Sequence, residues 1–344
     1  MSIEGVRVFR SLAVAKPSTP SPQRLCGVRT TLIAATLAIF GCAAALAQVK
    51  EYSRIVVFGD SLSDTGNVAH LAYEQYGVYA PGFYPLLGLD YTMGRFTDGA
   101  DTVPAAQNYV GVWIEQLAAQ MPSRPEVKDS LDGGTNYAYG FATTGSGSSP
   151  LCLDGLCVPV ENIGQQITDY LSTRPKIDNH TLVVIWGGAD DLLNATSVND
   201  VVDAAVRETF NIQRLIQAGA TQILVPNLPP LGLTPRFNGS PSEQVTASAA
   251  SALFNSYLAL GVSLLRDLYA QKHVRIYQLD VFKLMGSIVA SPTSYSLSDV
   301  KDAAQGNYLV NPDTYLFWDD LHPTTRGHNI LAGAAESVLS HSAR

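Results

Sequence analysis

The stretch that decides the fold is Ile55-Val56-Val57-Phe58-Gly59-Asp60-Ser61, an apolar run that ends in a small polar turn. A short, wholly apolar run of this kind predicts a strand buried on both faces of a parallel sheet. The turn then lies at the carboxyl edge of the sheet, where open α/β folds bind their ligands. Ser61 is therefore a candidate functional residue, although Ser and Asp also commonly cap the helix that follows a strand.

Further apolar runs alternate with helical stretches along the chain. The predicted strands are Leu182–Trp186, Gln222–Val225 and Val274–Tyr277, and the predicted helices are Val103–Met121, Val198–Ala218, Ser242–Ala270 and Thr324–Ser340. Strands separated by helices of this length imply crossover connections and a parallel sheet covered on both faces. We predict one domain over residues 48–344, a flavodoxin-like three-layer α/β/α sandwich with a mainly parallel sheet. Gly77–Asp101 and Gly133–Pro159 are predicted to be ordered loops over a site.

Residues 1–47 have the composition of an export signal. Five basic residues and one acid precede an uncharged, mostly apolar run, Thr30–Ala47, which ends in Ala45-Leu46-Ala47. A basic region, an apolar region and a small-residue cleavage site predict a signal peptide and a secreted or periplasmic protein. A lipid anchor through Cys42 and a retained membrane anchor are alternatives that the sequence leaves open. No later run of about 18 apolar residues follows, so no membrane span is expected after cleavage.

The composition and net charge of the chain limit the kinds of partner it can bind. Only 15% of the 344 residues are charged, 46% are hydrophobic, and the net charge is −8. Without the predicted leader the charge becomes about −12, and this acidity argues against nucleic acid as a main partner, because phosphate binding needs a cationic face. Cys152 and Cys157 are the cysteines left after cleavage, and in an exported protein they are expected to form a small local disulfide.

A second polar cluster lies near the C-terminus, in Asp319-Asp320-Leu321-His322-Pro323, where a carboxylate precedes a histidine by three residues. A serine hydroxyl is a weak nucleophile that needs a base, and that base needs a partner to fix its tautomer. Asp319 and His322 supply both functions from one turn if His322 faces Ser61. A surface pair and a metal site are the alternative interpretations, and no third metal ligand is evident.

Several blocks of the sequence together resemble one enzyme family. In chain order they are Gly59–Asn67 (Gly-Asp-Ser-Leu-Ser-Asp-Thr-Gly-Asn), Gly94–Gly99 (Gly-Arg-Phe-Thr-Asp-Gly), Asn136–Gly145, Trp186–Asp191, Leu224–Pro235 and Asp319–His322. This ordered set resembles the larger, secreted type of GDSL, or SGNH, lipase and esterase. The resemblance runs from about Tyr52 to the C-terminus.

The resemblance implies an ester hydrolase with Ser61 as nucleophile, His322 as base and Asp319 as its orienting acid, and with neither cofactor nor metal. It also implies an oxyanion hole built from the backbone N–H of Ser61, a second-block glycine and the side-chain amide of a third-block asparagine. Such donors act by pointing to the place where negative charge develops in the transition state.

Two positions depart from the family pattern, and both fall on the oxyanion hole. Phe141 stands where the family commonly has glycine, so either Gly140 or Phe141 supplies the expected backbone donor. Asp190 stands where the family has asparagine, and an ionised carboxylate cannot donate a hydrogen bond. Three interpretations stay open: a protonated Asp190 that donates as an acid, a replacement donor such as Asn194, or weak turnover.

Two functions therefore remain. The first is a secreted serine esterase or lipase that acts on a small-molecule or lipid ester, with short- to medium-chain esters as the default. The second is an exported ligand-binding pseudoenzyme on the same scaffold, with a weakened oxyanion hole. The aromatic run Tyr73–Tyr91 is consistent with an apolar pocket in either case, and equally with simple loop packing. The oligomeric state is not indicated by the sequence.

Overall fold

A computed structural model of the chain describes residues 52–77, 94–98, 109–153, 156–307 and 309–341. In chain order its elements are β1 (Arg54–Gly59), α1 (Asn67–Tyr76), α2 (Trp113–Gln120), β2 (Ser148–Leu153), β3 (Leu156–Glu161), α3 (Ile163–Thr173), β4 (Thr181–Trp186), α4 (Ala189–Asn194), α5 (Val198–Gln217), β5 (Gln222–Pro226), α6 (Pro241–Leu268), β6 (Arg275–Leu279), α7 (Val281–Ala290), β7 (Asp299–Ala303), β8 (Tyr315–Phe317) and α8 (Thr325–His341). The predicted leader, residues 1–47, and most of the aromatic run lie outside the described residues.

Four parallel strands form the central sheet in the order β1-β4-β5-β6. All four were predicted as apolar runs, and β4 and β5 are buried along their whole length. On the outer side of β1, residues 135–139 run alongside it: Val57 N–H donates to Thr135 O, and Tyr137 N–H donates to Val57 O. The loop that follows this segment therefore reaches the same sheet edge as the turn after β1.

Helices cover both faces of the sheet, as the alternation of strands and helices predicts. Successive residues of β1 point to opposite faces, so Val56 and Phe58 join one core while Ile55 and Val57 join the other. The first core is completed by residues of α3, α5 and α6, and the second by residues of α2 and α8. The result is the predicted three-layer α/β/α architecture.

Most predicted helices are present within a few residues of their expected ends. The exception is Val103–Met121, for which α2 begins only at Trp113. Gly111 has a φ of 78°, in the left-handed region, and this turn breaks the helical path before Trp113. Residues 103–108 of that prediction lie outside the described residues.

The predicted loop Gly133–Pro159 is wrong in its second half, which forms an antiparallel hairpin of β2 and β3. Leu151, Val158 and Val160 are buried, so the hairpin has the alternating pattern of a half-buried strand pair. Cys152 and Cys157 lie opposite each other in it and form the expected disulfide.

One helix in the described ranges, α6, is long and apolar enough to cross a membrane by length and composition alone. Core helices of globular proteins meet the same criterion. Phe254 and Leu258 of α6 pack into the first core, which accounts for part of its apolar character.

Candidate active site

Ser61 lies in the turn directly after β1, at the carboxyl edge of the sheet. The turn is fixed from below by Gln166, whose side chain accepts from Gly59 N–H and donates to Gly59 O, both at 2.9 Å. A Cβ at Gly59 would lie 2.6 Å from Trp186 O, so only glycine allows β1 and β4 to approach at this point. Ser61 itself is buried except for its side facing a cavity.

Asp64 anchors the same turn to its surroundings. Its Oδ1 accepts the backbone N–H groups of Gly66 and Asn67 at 2.8 Å, which satisfies the start of α1. Its Oδ2 accepts the N–H of Gly140 at 2.9 Å, in the loop that follows residues 135–139. Burial raises the pKa of Asp64 to about 6, although these hydrogen bonds act to lower it.

Asp319 and His322 follow β8 and are brought to Ser61 by the turn that precedes α8. His322 Nδ1 lies 2.6 Å from Asp319 Oδ2, and His322 Nε2 lies 2.8 Å from Ser61 Oγ. Asp319 Oδ1 also accepts the N–H groups of Leu321 and His322, at 2.7 and 2.6 Å, so the carboxylate is held in place. A carboxylate is only an acceptor, and Nδ1 therefore carries the proton while Nε2 accepts from Ser61.

The electrostatic setting of His322 favours its protonated form. Burial lowers its pKa, but the negative charge of Asp319 and its hydrogen bond raise it, and Asp190 and Asp320 add to the rise. The net result is a pKa above the ordinary value for histidine. An imidazole stabilised in this way is suited to take a proton from a serine hydroxyl.

The oxyanion hole was expected to use Ser61, Gly140, Phe141 and Asp190, and the hydrogen bonds of these four residues differ. The N–H groups of Ser61 and Phe141 donate to no other described residue, whereas that of Gly140 is taken up by Asp64. The structure thus argues against Gly140 as an oxyanion donor, since its N–H points to a buried carboxylate. Phe141 is the residue of this pair that lines the cavity together with Ser61 and Asp190.

The residues of the third block, Asp190 and Asp191, and the nearby Asn194 differ in their hydrogen bonds. Asp191 accepts from Thr144 N–H at 2.8 Å and from Arg207 Nη2 at 2.8 Å, so it ties α4 to the second-block loop. Asp190 forms no hydrogen bond through its carboxyl group in the described part of the chain. The side chain of Asn194, the suggested replacement donor, gives its N–H to Asp190 O at 2.8 Å.

Three carboxyl groups, those of Asp60, Asp190 and Glu208, lie close to this site. Burial raises the pKa of Asp190 well above its ordinary value, and the charge of Asp60 raises it further. Burial raises the pKa of Asp60 itself to about 7 and that of Glu208, beneath Gly187, to about 8. One oxygen of Asp60 and both of Glu208 are buried without a hydrogen-bond partner in the described ranges. Burial thus disfavours the charged form of each of these groups, and an ionised Asp60 further favours a protonated Asp190.

A cavity of about 240 Å³ opens beside Ser61 and His322. Its wall beyond Asp190 is mostly apolar: Asn194, Thr234 and Arg236 are its polar members, and the apolar ones include Leu193, Pro229, Leu231, Val281, Met285 and Ile288. Mostly apolar pockets with a few convergent polar groups bind small organic ligands.

Sequence reasoning did not assign roles to Asp64, Gln166 or Phe96. Phe96 is buried, and its ring centroid lies 5.1 Å from that of His322. The Gly-Arg-Phe-Thr-Asp-Gly block was a signal for Phe96, but its spacing alone says nothing about a contact with His322. Next to it, Asp98 Oδ1 accepts the N–H of Thr325 and so ties this block to the start of α8.

Comparisons with known proteins agree with the sequence blocks. The profile of the GDSL-like Lipase/Acylhydrolase family matches residues 55–335. Esterase EstA of Pseudomonas aeruginosa is 31% identical over 90% of this chain and 50% of its own length. Phosphatidylcholine-sterol acyltransferase of Aeromonas hydrophila is 29% identical over 84% of this chain and 90% of its own. The solved native aryl esterase of M. smegmatis has 18% identity, a TM-score of 0.40, and coverage of 83% and 97%. The chain spans about half the length of the Pseudomonas relatives it matches.

Proposed function

The chain belongs to the GDSL-like lipase/acylhydrolase family, a family of carboxylic ester hydrolases, and we propose that it hydrolyses carboxylic esters with Ser61 as nucleophile, His322 as general base and Asp319 as orienting carboxylate. The observation that carries this proposal is the unbroken hydrogen-bond relay from Asp319 Oδ2 through His322 to Ser61 Oγ, with distances of 2.6 and 2.8 Å. The 2.8 Å distance is within the range in which a base takes a proton from a nucleophile, and the 2.6 Å distance is that of a strong hydrogen bond to a carboxylate.

In the proposed reaction Ser61 Oγ forms a bond to the ester carbonyl carbon while its proton passes to His322 Nε2. The tetrahedral intermediate then expels the alcohol oxygen, which receives that proton, and leaves an acyl group on Ser61. A water molecule then attacks this acyl group while it gives a proton to His322; the bond between the acyl carbon and Ser61 Oγ breaks, Oγ takes the proton back from His322, and the acid leaves. Asp319 stays ionised and stabilises the imidazolium that forms in each step.

Charge on the carbonyl oxygen is stabilised by the backbone N–H groups of Ser61 and Phe141 and by a protonated Asp190. The burial of Asp190 and the nearby charge of Asp60 support the protonated form, because both raise the pKa of Asp190. A neutral carboxylic acid is a hydrogen-bond donor, whereas a carboxylate would repel the developing oxyanion. The loss of one such donor typically lowers the rate about 10²- to 10³-fold.

The substrate we propose is an uncharged ester with a short- to medium-length acyl chain. The apolar wall of the cavity supports such a chain, and its volume of about 240 Å³ limits the length. Residues 1–47 support export to the periplasm or the outside of the cell, with attachment through a lipid on Cys42 as the second candidate.

The test is the hydrolysis of 4-nitrophenyl acetate and butyrate by the wild type and by Ser61→Ala. We expect turnover by the wild type and a loss of at least about 10³-fold in Ser61→Ala. Ser256→Ala is the matched control, because Ser256 is exposed on α6 and bonds only to its own helix. Equal rates for the wild type and Ser61→Ala would contradict an esterase and leave a ligand-binding protein on this scaffold.

A further inference from the structure

Phe141 stands in a backbone conformation that favours glycine. Its φ is 66°, in the left-handed region that residues with a Cβ rarely adopt. The sequence pattern that this chain resembles commonly has glycine at this position. A strained residue beside an active site points to a functional contribution of its side chain.

The ring of Phe141 belongs to an aromatic column beside His322. It packs edge-on against Phe96 with centroids 5.9 Å apart, and Phe96 in turn packs against the His322 ring. Phe96 is 1% exposed, whereas Phe141 is 36% exposed and lines the cavity. Of the two phenylalanines, Phe141 is therefore the one that a substrate can touch.

The strand order places Phe141 and the apolar wall on opposite sides of Ser61. Ser61 follows β1, and Phe141 follows the segment on the outer side of β1. Asp190, Pro229 and Val281 follow β4, β5 and β6, which lie in order on the other side. An ester whose carbonyl carbon meets Ser61 then extends in one direction toward the apolar wall and in the other toward Phe141.

Proton transfer decides which part of the ester faces which side. The alcohol oxygen must lie near His322 Nε2, because that nitrogen returns the proton to it. His322 is joined to Phe141 through Phe96, so the alcohol part lies on the side of the aromatic column. Resting on the proposed function, we propose that the Phe141 ring binds the alcohol part of the ester and selects for aromatic and large apolar alcohols, while the apolar wall binds the acyl chain.

The experiment compares two series of esters with the wild type, Phe141→Ala and Phe141→Leu. The first series varies the alcohol and consists of ethyl, phenyl and 1-naphthyl acetate. The second varies the acyl chain and consists of 4-nitrophenyl acetate, butyrate, hexanoate and octanoate. In Phe141→Ala we expect kcat/KM for 1-naphthyl acetate to fall about tenfold relative to ethyl acetate. The kcat/KM of this variant for every nitrophenyl ester is expected to fall by a similar factor, so that the dependence on acyl length is unchanged. The values for Phe141→Leu are expected to lie between those of the wild type and Phe141→Ala.

A glycine variant separates the ring from the backbone strain. Phe141→Gly removes both, and we expect it to lose alcohol selectivity as Phe141→Ala does while its melting temperature stays equal or rises. His273→Gly is the matched control, because His273 is exposed and also has a left-handed φ, of 54°. It is expected to leave both ester series unchanged.

The proposal is overturned if Phe141→Ala changes the dependence on acyl length but not on the alcohol, or if it changes neither. Failure of the proposed function would look different, since no Ser61-dependent hydrolysis would be seen in any variant. In that case the Kd of 1-naphthol for Ser61→Ala, with and without Phe141→Ala, decides the question. We expect Phe141→Ala to weaken binding about tenfold, and an equal Kd overturns the proposal.

Discussion

Asp64 Oδ2 accepts the N–H of Gly140 across 2.9 Å, so one buried carboxylate joins the turn after β1 to the loop that carries Phe141. Ser61 and Phe141, whose N–H groups are the proposed oxyanion donors, lie on the two segments that Asp64 connects. Their relative position therefore depends on a residue that does not itself line the cavity.

Asp64→Asn is expected to lower both stability and turnover. The new NH₂ group faces a backbone N–H donor and leaves it without an acceptor, which costs about 2 kcal/mol in the free energy of unfolding. Urea unfolding measures this loss, and the 4-nitrophenyl acetate assay measures kcat. Asp132→Asn is the control, since the ion pair of Asp132 with Lys128 is exposed, and it is expected to change neither quantity. Wild-type values for Asp64→Asn would show that the link is dispensable.

Asp319→Asn is expected to shift the pH dependence of hydrolysis as well as its rate. The negative charge of Asp319 contributes to the raised pKa of His322. The acid limb of the kcat/KM profile, which reports the loss of the proton from His322, is thus expected above about pH 6.5 in the wild type and at lower pH in the variant. The rate is expected to fall about 10³- to 10⁴-fold, because the amide no longer fixes the reactive tautomer. An acid limb at the same pH in Asp319→Asn and the wild type would contradict the pairing of Asp319 with His322.

Asp190→Asn is expected to raise kcat, most clearly above neutral pH. If Asp190 donates as a neutral acid, wild-type activity falls as the pH rises through its pKa, whereas an amide donates at every pH. The profile of kcat against pH is therefore expected to lose its alkaline limb in the variant. Equal or lower activity across that range would show that Asp190 is not a pH-limited donor.

Asp60→Asn provides the companion to this variant. The negative charge of Asp60 raises the pKa of Asp190, and its removal is expected to move the alkaline limb to lower pH rather than abolish it. An alkaline limb that moves to higher pH, or stays where it is, would show that the charge of Asp60 does not raise the pKa of Asp190.

Glu208→Gln is expected to flatten the pH dependence of stability. Burial raises the pKa of Glu208 from 4.5 to about 8, so between these values the folded state holds a proton that the unfolded state has released. The free energy of unfolding therefore falls as the pH rises from about 4.5 to 8, by up to about 5 kcal/mol from this group. The neutral amide of the variant carries no such cost, and the variant is expected to be more stable than the wild type at about pH 9 in urea unfolding. A wild type that is equally stable at about pH 5 and pH 9 would refute this.

The sheet was predictable because its strands are short apolar runs buried on both faces, and β1, β4, β5 and β6 lie within two residues of their predicted bounds. By contrast, α1 was not predicted. No side chain caps it at Gly66, and the N–H groups at its start are satisfied by Asp64, which the local pattern does not reveal. The hairpin of β2 and β3 was not predicted for a different reason: its exposed face carries Pro150, Cys152, Cys157 and Pro159, and prolines are unusual inside strands.

Within the site, the close spacing of Asp319 and His322 made their pairing predictable, and their contact with Ser61 was expected only through the family resemblance. Ser61 and His322 are 261 residues apart in sequence. Two features could not be predicted, because both depend on the packing of segments distant in the chain. They are the hydrogen bond from Gly140 N–H to Asp64 and the aromatic column from His322 to Phe141. Sequence spacing identifies side chains that meet within one turn. Which backbone N–H groups have no other acceptor depends on the packing of segments that are distant in the chain.

The central claim is that Ser61 is a nucleophile activated by His322. It is tested most directly by labelling the protein with a fluorophosphonate and locating the adduct by mass spectrometry of its peptides. We expect one adduct per chain, on Ser61, which is absent from Ser61→Ala and forms much more slowly in His322→Ala. No adduct in the wild type, or an adduct on another residue, would contradict the claim.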